Sequence, residues 1–335
     1  MAVVFKGESM KKLIIAGFMV LSVAGCIATP SVKPSTQDEI VEIRLPVGYI
    51  PNVQFAPLYV AMEKGYFTAE NINVTLDYSF ETDAVALLGA GELQFAIASG
   101  EQVLLARAQE IPIVYVMAWY QNYPVAVASK AGNGMLQPDD LKGKTIGIPI
   151  LSGASYIGLR AILDAGGLSE NDVMLKTIGF NQVEMLATDR VDAVVVYIAN
   201  EPVVLKSQGY PTDLIRVDDY LTLVSNGLIT NENTLTDNPD LVKRMVRAIL
   251  NGISDAIADP EGAYRISEKY VETLAQADEI VQKQVLDQSI ELWKGPRLGF
   301  SDPIAWSNML TVLKSMGLLK KEIDAIQAFT NDFLP

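Results

Sequence analysis

Residues 47–67 read VGYIPNVQFAPLYVAMEKGYF, and the order of features within them decides the fold. Ile43, Leu45 and Val47 alternate with polar or small residues, a strand pattern that breaks at Gly48. The chain then passes through Pro51 and Asn52 into a helix whose apolar positions, Phe55, Leu58, Tyr59 and Met62, recur at helical spacing. Gly65 stands where a left-handed cap ends such a helix. A strand, a short loop and a helix folding back make the first unit of an open α/β sheet, and ligands of such sheets sit at the carboxyl ends of the strands. Tyr49 and Asn52 are therefore the first candidates for ligand contact. The same spacing equally serves a Tyr49 packed on the helix and an Asn52 that only caps it.

Strand and helix patterns keep alternating from there, which favours parallel βαβ connections over a sandwich. Strands are expected at 73–80, 91–98 and 113–118, with helices at 84–88 and 102–108. Residues 141–209 repeat the plan: a strand at 144–149, a helix opened by Ser152-Gly153-Ala154-Ser155, and a strand at 173–178. Residues 190–196 match 92–98 at an offset of about a hundred residues. Two copies at so long a period are two α/β halves, not a solenoid. The extended stretches 125–129 and 221–230 flank the second half and read as two hinge strands joining two α/β lobes. The expected division is 40–125 with 228–335 for the first lobe and 126–227 for the second.

Ahead of the body, Lys11 and Lys12 precede an apolar run at 13–23 and then Ala24-Gly25-Cys26. This is the pattern of a secretory signal, with Met10 an alternative start. Val23-Ala24-Gly25-Cys26 resembles the bacterial lipobox, which makes Cys26 the expected lipidation site and 1–26 the signal. Residues 27–39 are rich in Pro, Ser and Thr and read as a flexible tether. No later apolar run reaches transmembrane length, so membrane attachment is expected through the lipid anchor only. A formal net charge of −14 argues against nucleic acid as a partner. The chain contains 0 His, which removes His-dependent nucleophilic catalysis and the commonest zinc ligand. With 1 Cys, assigned to the signal, no disulfide forms within the mature chain, and neither a metal site nor a resident cofactor is expected.

Pro51-Asn52 soon after the first strand, then Leu58-Tyr59-Val60-Ala61, then Glu63-Lys64-Gly65-Tyr66-Phe67, resembles the periplasmic binding proteins of ABC importers. Among these it is most similar to the NMT1/ThiY-like group, whose members bind thiamine-pyrimidine precursors, riboflavin, or sulfonates and nitrate. The resemblance spans 43–334, including the ending Phe329-Thr330-Asn331-Asp332-Phe333-Leu334. It implies a bilobed fold of type II-like periplasmic-binding-protein architecture, exported to the bacterial cell envelope, with ABC transporter permease subunits as partners. Binders of thiamine-pyrimidine precursors tend to carry Trp-x-Pro-Asn followed by His. Here Tyr49-Ile50-Pro51-Asn52 keeps the Pro-Asn, but Tyr49 replaces Trp and Phe55 stands at the His position.

The candidate ligand contacts come from loops after strands. They are Tyr49, Asn52, Glu81, Ser99, Glu101, Trp119, Tyr120, Gln121 and Tyr123 in the first lobe. In the second they are Ser152, Ser155, Tyr156, Asn181, Tyr197, Asn200 and Glu201. So many aromatics suit a planar heterocycle held by stacking, with amides and carboxylates reading its ring atoms. Trp119 and Tyr120 are adjacent in a strand end, so one of the two is expected to face inward. The loops carry acidic residues and hardly any Lys or Arg, which disfavours nitrate or a sulfonate. The helix start at Ser152 still offers free N–H groups to an anion. These features point to a neutral or weakly basic planar ring compound; among the ligands the resemblance implies, they favour riboflavin, as transported ligand, with a thiamine pyrimidine precursor as the alternative. The related pyrimidine synthase enzymes rely on a histidine and a cysteine-rich segment that this chain does not have. A receptor-type sensor would need a second membrane segment.

Overall fold

The computed structural model describes residues 40–335; Cys26 and the tether lie outside the described residues. In β1 (Val41–Pro46), Ile43 and Leu45 are buried while Glu42 and Arg44 face solvent, the period-two pattern of a half-buried strand. β1 pairs in parallel with β2 (Ile72–Asp77), Ile43 opposite Val74 and Leu45 opposite Leu76. Between them runs the helix Ala56–Glu63, followed by Gly65 at φ +73°, left-handed as its position requires. That helix packs on the long helix Pro239–Ala258, which Asn238 caps by accepting the Leu241 N–H at 3.1 Å. Gly252 permits the close crossing: a Cβ there would lie 2.1 Å from the Pro57 carbonyl oxygen.

The first lobe also holds a sheet of order β3-β10-β4, formed by β3 (Phe95–Ser99), β4 (Ile113–Ala118) and β10 (Asn226–Asn231). The second lobe holds β5 (Val125–Lys130), β6 (Thr145–Ile148), β7 (Met174–Thr177), β8 (Ala193–Tyr197) and β9 (Thr212–Arg216), in the order β7-β6-β8-β5-β9. The alternating pattern correctly anticipates the parallel pairs of β6 with β7 and β8. It misses that β5 and β10 run antiparallel to both of their neighbours. Each of these two enters its sheet from the other lobe through an irregular segment, with no helical crossover to restore the parallel direction. Of the extended stretches expected to bridge the lobes, 125–129 lies inside the second-lobe sheet, whereas 221–230 divides into a crossing at 221–225 and the first residues of β10; segments 119–124 and 220–225 make the crossings.

A second difference concerns Glu81. The third helix starts at Glu81, not at Ala84, so Glu81 and Asp83 occupy its first turn, where acidic side chains favour the helix dipole. The helix thereby brings the Glu81 carboxylate directly under the β1 loop, where a Cβ on Gly48 would lie 2.8 Å from Glu81 Cγ.

Candidate functional site

The two lobes face each other across a cleft lined by the loops at their strand ends. From the first lobe come Tyr49 after β1, Phe80 and Glu81 after β2, Gln102 beyond β3, Trp119 and Tyr120 after β4, and Asn226 at the start of β10. The second lobe contributes Ile150 and Ser152 to Ser155 after β6, Phe180 and Gln182 after β7, and Tyr197, Asn200 and Glu201 at and beyond the end of β8. Apart from Asn226, on an antiparallel strand, these are carboxyl ends of strands, where open α/β sheets place ligands. The cavity within the cleft is about 120 Å³.

Contacts cross the cleft at two levels. At the mouth, Tyr49 meets Phe180 edge-on with ring centroids 4.8 Å apart, and the Tyr49 hydroxyl accepts from Asn200 Nδ2 at 3.2 Å. Phe80 and Phe180 lie at 6.5 Å and remain exposed on their outer faces. Deeper in, the Tyr197 hydroxyl donates to Asn226 Oδ1 at 3.0 Å, and Asn226 Nδ2 donates to Glu81 Oε1 at 2.8 Å. The Asn226 carbonyl oxygen also accepts from both the Trp119 and the Tyr120 backbone N–H, at 2.9 and 3.3 Å. Both residues lie past the end of β4 at Ala118, where the strand alternation no longer governs them. Trp119 and Tyr120 consequently both line the cleft, against the expectation that one would turn away.

The site is acidic. Glu81 Oε2 accepts from the Ser99 N–H at 3.1 Å and the Ser99 hydroxyl at 2.7 Å. That hydroxyl also bonds Glu101 Oε1, one layer behind the wall. Burial first, then the neighbouring Glu81 charge, pushes the Glu101 carboxyl up to about 8. On the facing wall Glu201 accepts from the Tyr197 N–H at 2.9 Å, and burial raises its carboxyl to about 7. Among the described residues that line the cleft, none is Lys or Arg.

Tyr49, Glu81, Trp119, Tyr120, Ser152, Ser155, Tyr197, Asn200 and Glu201 thus meet at one cleft. The other candidates lie elsewhere. Asn52 accepts from the Gln54 N–H and caps a short helical turn. Ser99 and Glu101 sit behind Glu81. Gln121 lies on the outer side of the crossing segment, beside Gly295. Tyr123 is buried and donates to the Ala154 carbonyl, tying the crossing segment to the helix Gly153–Ala165. Tyr156, on that helix, turns away to Arg160 and Glu170. Asn181 is exposed and bonds its own loop at Ile178. Sequence reasoning missed Phe80, Gln102, Phe180, Gln182 and Asn226. Phe180 and Gln182 flank Asn181, so the same strand-end rule reaches them. Asn226 opens a strand that is buried along its whole length, a position where a polar side chain demands a partner.

The NMT1/THI5-like family model matches residues 52–263. Riboflavin-binding protein RibY of Chloroflexus aurantiacus is 38% identical over 315 residues, covering 92% of this chain and 90% of that protein. The formylaminopyrimidine-binding protein of Halalkalibacterium halodurans is 27% identical over 317 residues, covering 91% of this chain and 94% of that one. Among solved structures, the alkanesulfonate-binding protein SsuA from Xanthomonas axonopodis pv. citri, bound to MOPS, matches with a TM-score of 0.70 at 16% identity. The match covers 88% of this chain and 99% of that one, and it is a likeness of fold.

Proposed function

This chain belongs to the NMT1/THI5-like family, and from that premise we propose that it is the solute-binding component of an ABC importer, capturing riboflavin and delivering it to a membrane permease. One observation carries the reading: the cleft draws aromatic faces and buried polar tips from both lobes. Tyr49, Trp119, Tyr120 and Tyr197 offer ring surface to a flat heterocycle, while Gln102, Gln182, Asn200 and Asn226 stand ready to read its ring nitrogens and carbonyls. A ligand without those groups leaves buried amides unpaired, which is the source of specificity. The relative of this type at 38% identity is a riboflavin-binding protein.

Capture proceeds by closure about the crossings 119–124 and 220–225. A void of about 120 Å³ resembles the ~150 Å³ cavity that holds one benzene ring. A three-ring flavin therefore enters with the lobes apart, exchanging the Tyr49–Phe180 and Tyr197–Asn226 contacts for contacts with itself. Only contacts made to both lobes favour the closed form, so residues of each wall matter. Export and lipidation at Cys26 place the carrier at the outer face of the membrane, and the chain acts as a carrier, not an enzyme. The same small void, with the 27% identical relative, supports a second reading in which the cargo is a single-ring formylaminopyrimidine.

The test is a titration of the purified protein with riboflavin, followed by flavin fluorescence, with formylaminopyrimidine as competitor in a thermal-shift assay. Saturable quenching together with a raised melting temperature is expected for riboflavin. Absence of quenching, with stabilisation by the pyrimidine alone, overturns the flavin in favour of the second reading.

A further inference from the structure

The helix Gly153–Ala165 begins at the cleft, and its N-cap residue Ser152 makes no side-chain cap bond. An uncapped helix N-terminus attracts negative charge through its free N–H groups and its dipole. The first lobe supplies such a charge: a Cβ added to Gly153 would lie 3.8 Å from Glu81 Oε2. Gly153 itself takes φ +68°, a left-handed conformation that glycine adopts without strain.

The state of the Glu81 carboxyl follows from the donors around it. It accepts from the Ser99 N–H, the Ser99 hydroxyl and Asn226 Nδ2, three donors that favour the ionised form. Glu101 shares the same Ser99 hydroxyl, and its second carboxyl oxygen is buried without a partner. One hydroxyl hydrogen cannot serve two carboxylates, so one of the pair must be protonated. Burial raises both carboxyls, and the donor count assigns the charge to Glu81 and the proton to Glu101.

We propose that Glu81 is a built-in anion seated at the N-terminus of the Gly153–Ala165 helix, and that it makes the cleft reject phosphate esters and other anionic forms of its ligand. A ligand phosphate or sulfonate approaching those N–H groups comes close to the Glu81 carboxylate, whose own hydrogen bonds come from Ser99 and Asn226. Glu201 stands on the opposite wall, and no Lys or Arg lines the site among the described residues. The cargo is therefore the unphosphorylated ring compound. The flavin part of this rests on the proposed function; the rejection of small anions does not.

The experiment compares the wild-type protein with Glu81→Gln, which keeps the shape, and Glu81→Ala, which empties the seat. Each is titrated with riboflavin and with riboflavin 5′-phosphate. In parallel each is melted in inorganic phosphate against chloride at matched ionic strength. The wild type is expected to prefer riboflavin by about 100-fold or more, and the alanine variant to narrow that preference at least about tenfold, because like charges in a water-poor site repel strongly. Phosphate should raise the melting temperature of the alanine variant and leave the wild type unmoved. Equal wild-type affinity for the two flavins, or a preference unchanged by both substitutions, overturns the proposal. Should neither flavin bind any of the three proteins, the cargo assignment fails and the melting arm decides: a phosphate response gained in Glu81→Ala upholds Glu81 as the resident anion, and none refutes it.

Discussion

Replacing Glu101 by Gln tests where the shared proton resides. Glu101 has no exposed surface, and the groups facing it are Glu81, the Ser99 hydroxyl, the Gln102 amide and the tyrosines Tyr115, Tyr123 and Tyr197. None of these is a cation. Its carboxyl is held at about 8 in the folded protein against an ordinary 4.5, so the folded state keeps a proton that the unfolded chain releases. The stability this provides is complete below about pH 4.5, declines as pH rises towards about 8, and is level above that. At about 1.36 kcal/mol per pH unit, the wild type should lose about 4 kcal/mol between about pH 5 and pH 8 through this one group. The glutamine variant would carry no proton to lose, and its amide can still reach the Ser99 hydroxyl. The difference in unfolding free energy, wild type minus Glu101→Gln, should therefore fall steadily across that window. Denaturant unfolding at a series of pH values reads it, with ionic strength held constant and emission from the buried Trp119, Trp293 and Trp306 as the signal. Parallel pH profiles for the two proteins would refute the shared-proton argument and, with it, the assignment of the charge to Glu81.

Two further outcomes follow from the packing. Phe180→Ala removes a ring that exchanges its edge contact with Tyr49 for contact with the bound heterocycle, an aromatic pair worth about 0.5–1.5 kcal/mol; stopped-flow measurement should show ligand leaving about two- to tenfold faster, and an unchanged off-rate would remove the ring from the closure mechanism. Gly252→Ala drives a methyl to 2.1 Å from the Pro57 carbonyl and 3.0 Å from Ala61 Cβ, overpacking that costs about 1–3 kcal/mol or more. Calorimetry should find a melting temperature lower by several degrees, and a wild-type value would mean that the two helices separate freely.

Local periodicity made the architecture legible. The alternation in β1, the glycine stop at Gly65, the helix start at Ser152 and the hundred-residue echo between β3 and β8 are each written in a few neighbouring residues. Such patterns specify a strand or helix before any tertiary contact forms, and two echoing α/β halves specify two lobes. The absence of histidine and the acidic strand-end loops likewise limited the chemistry at the level of composition. Which side chains meet was decided only by the tertiary structure. Tyr49 bonds Asn200 across 151 residues and Asn226 bonds Glu81 across 145, separations over which no sequence period carries information. Trp119 and Tyr120 share the cleft because both lie past the end of β4 with their N–H groups on one acceptor, the Asn226 carbonyl, a feature of the pairing and not of either residue. Glu81 illustrates the division: its place after the second strand marked it for the cleft. Its role depends on reaching a helix that begins some seventy residues later, on the other lobe. Periodicity is a property of neighbours along the chain, whereas a charge facing a helix end is a property of the closed fold.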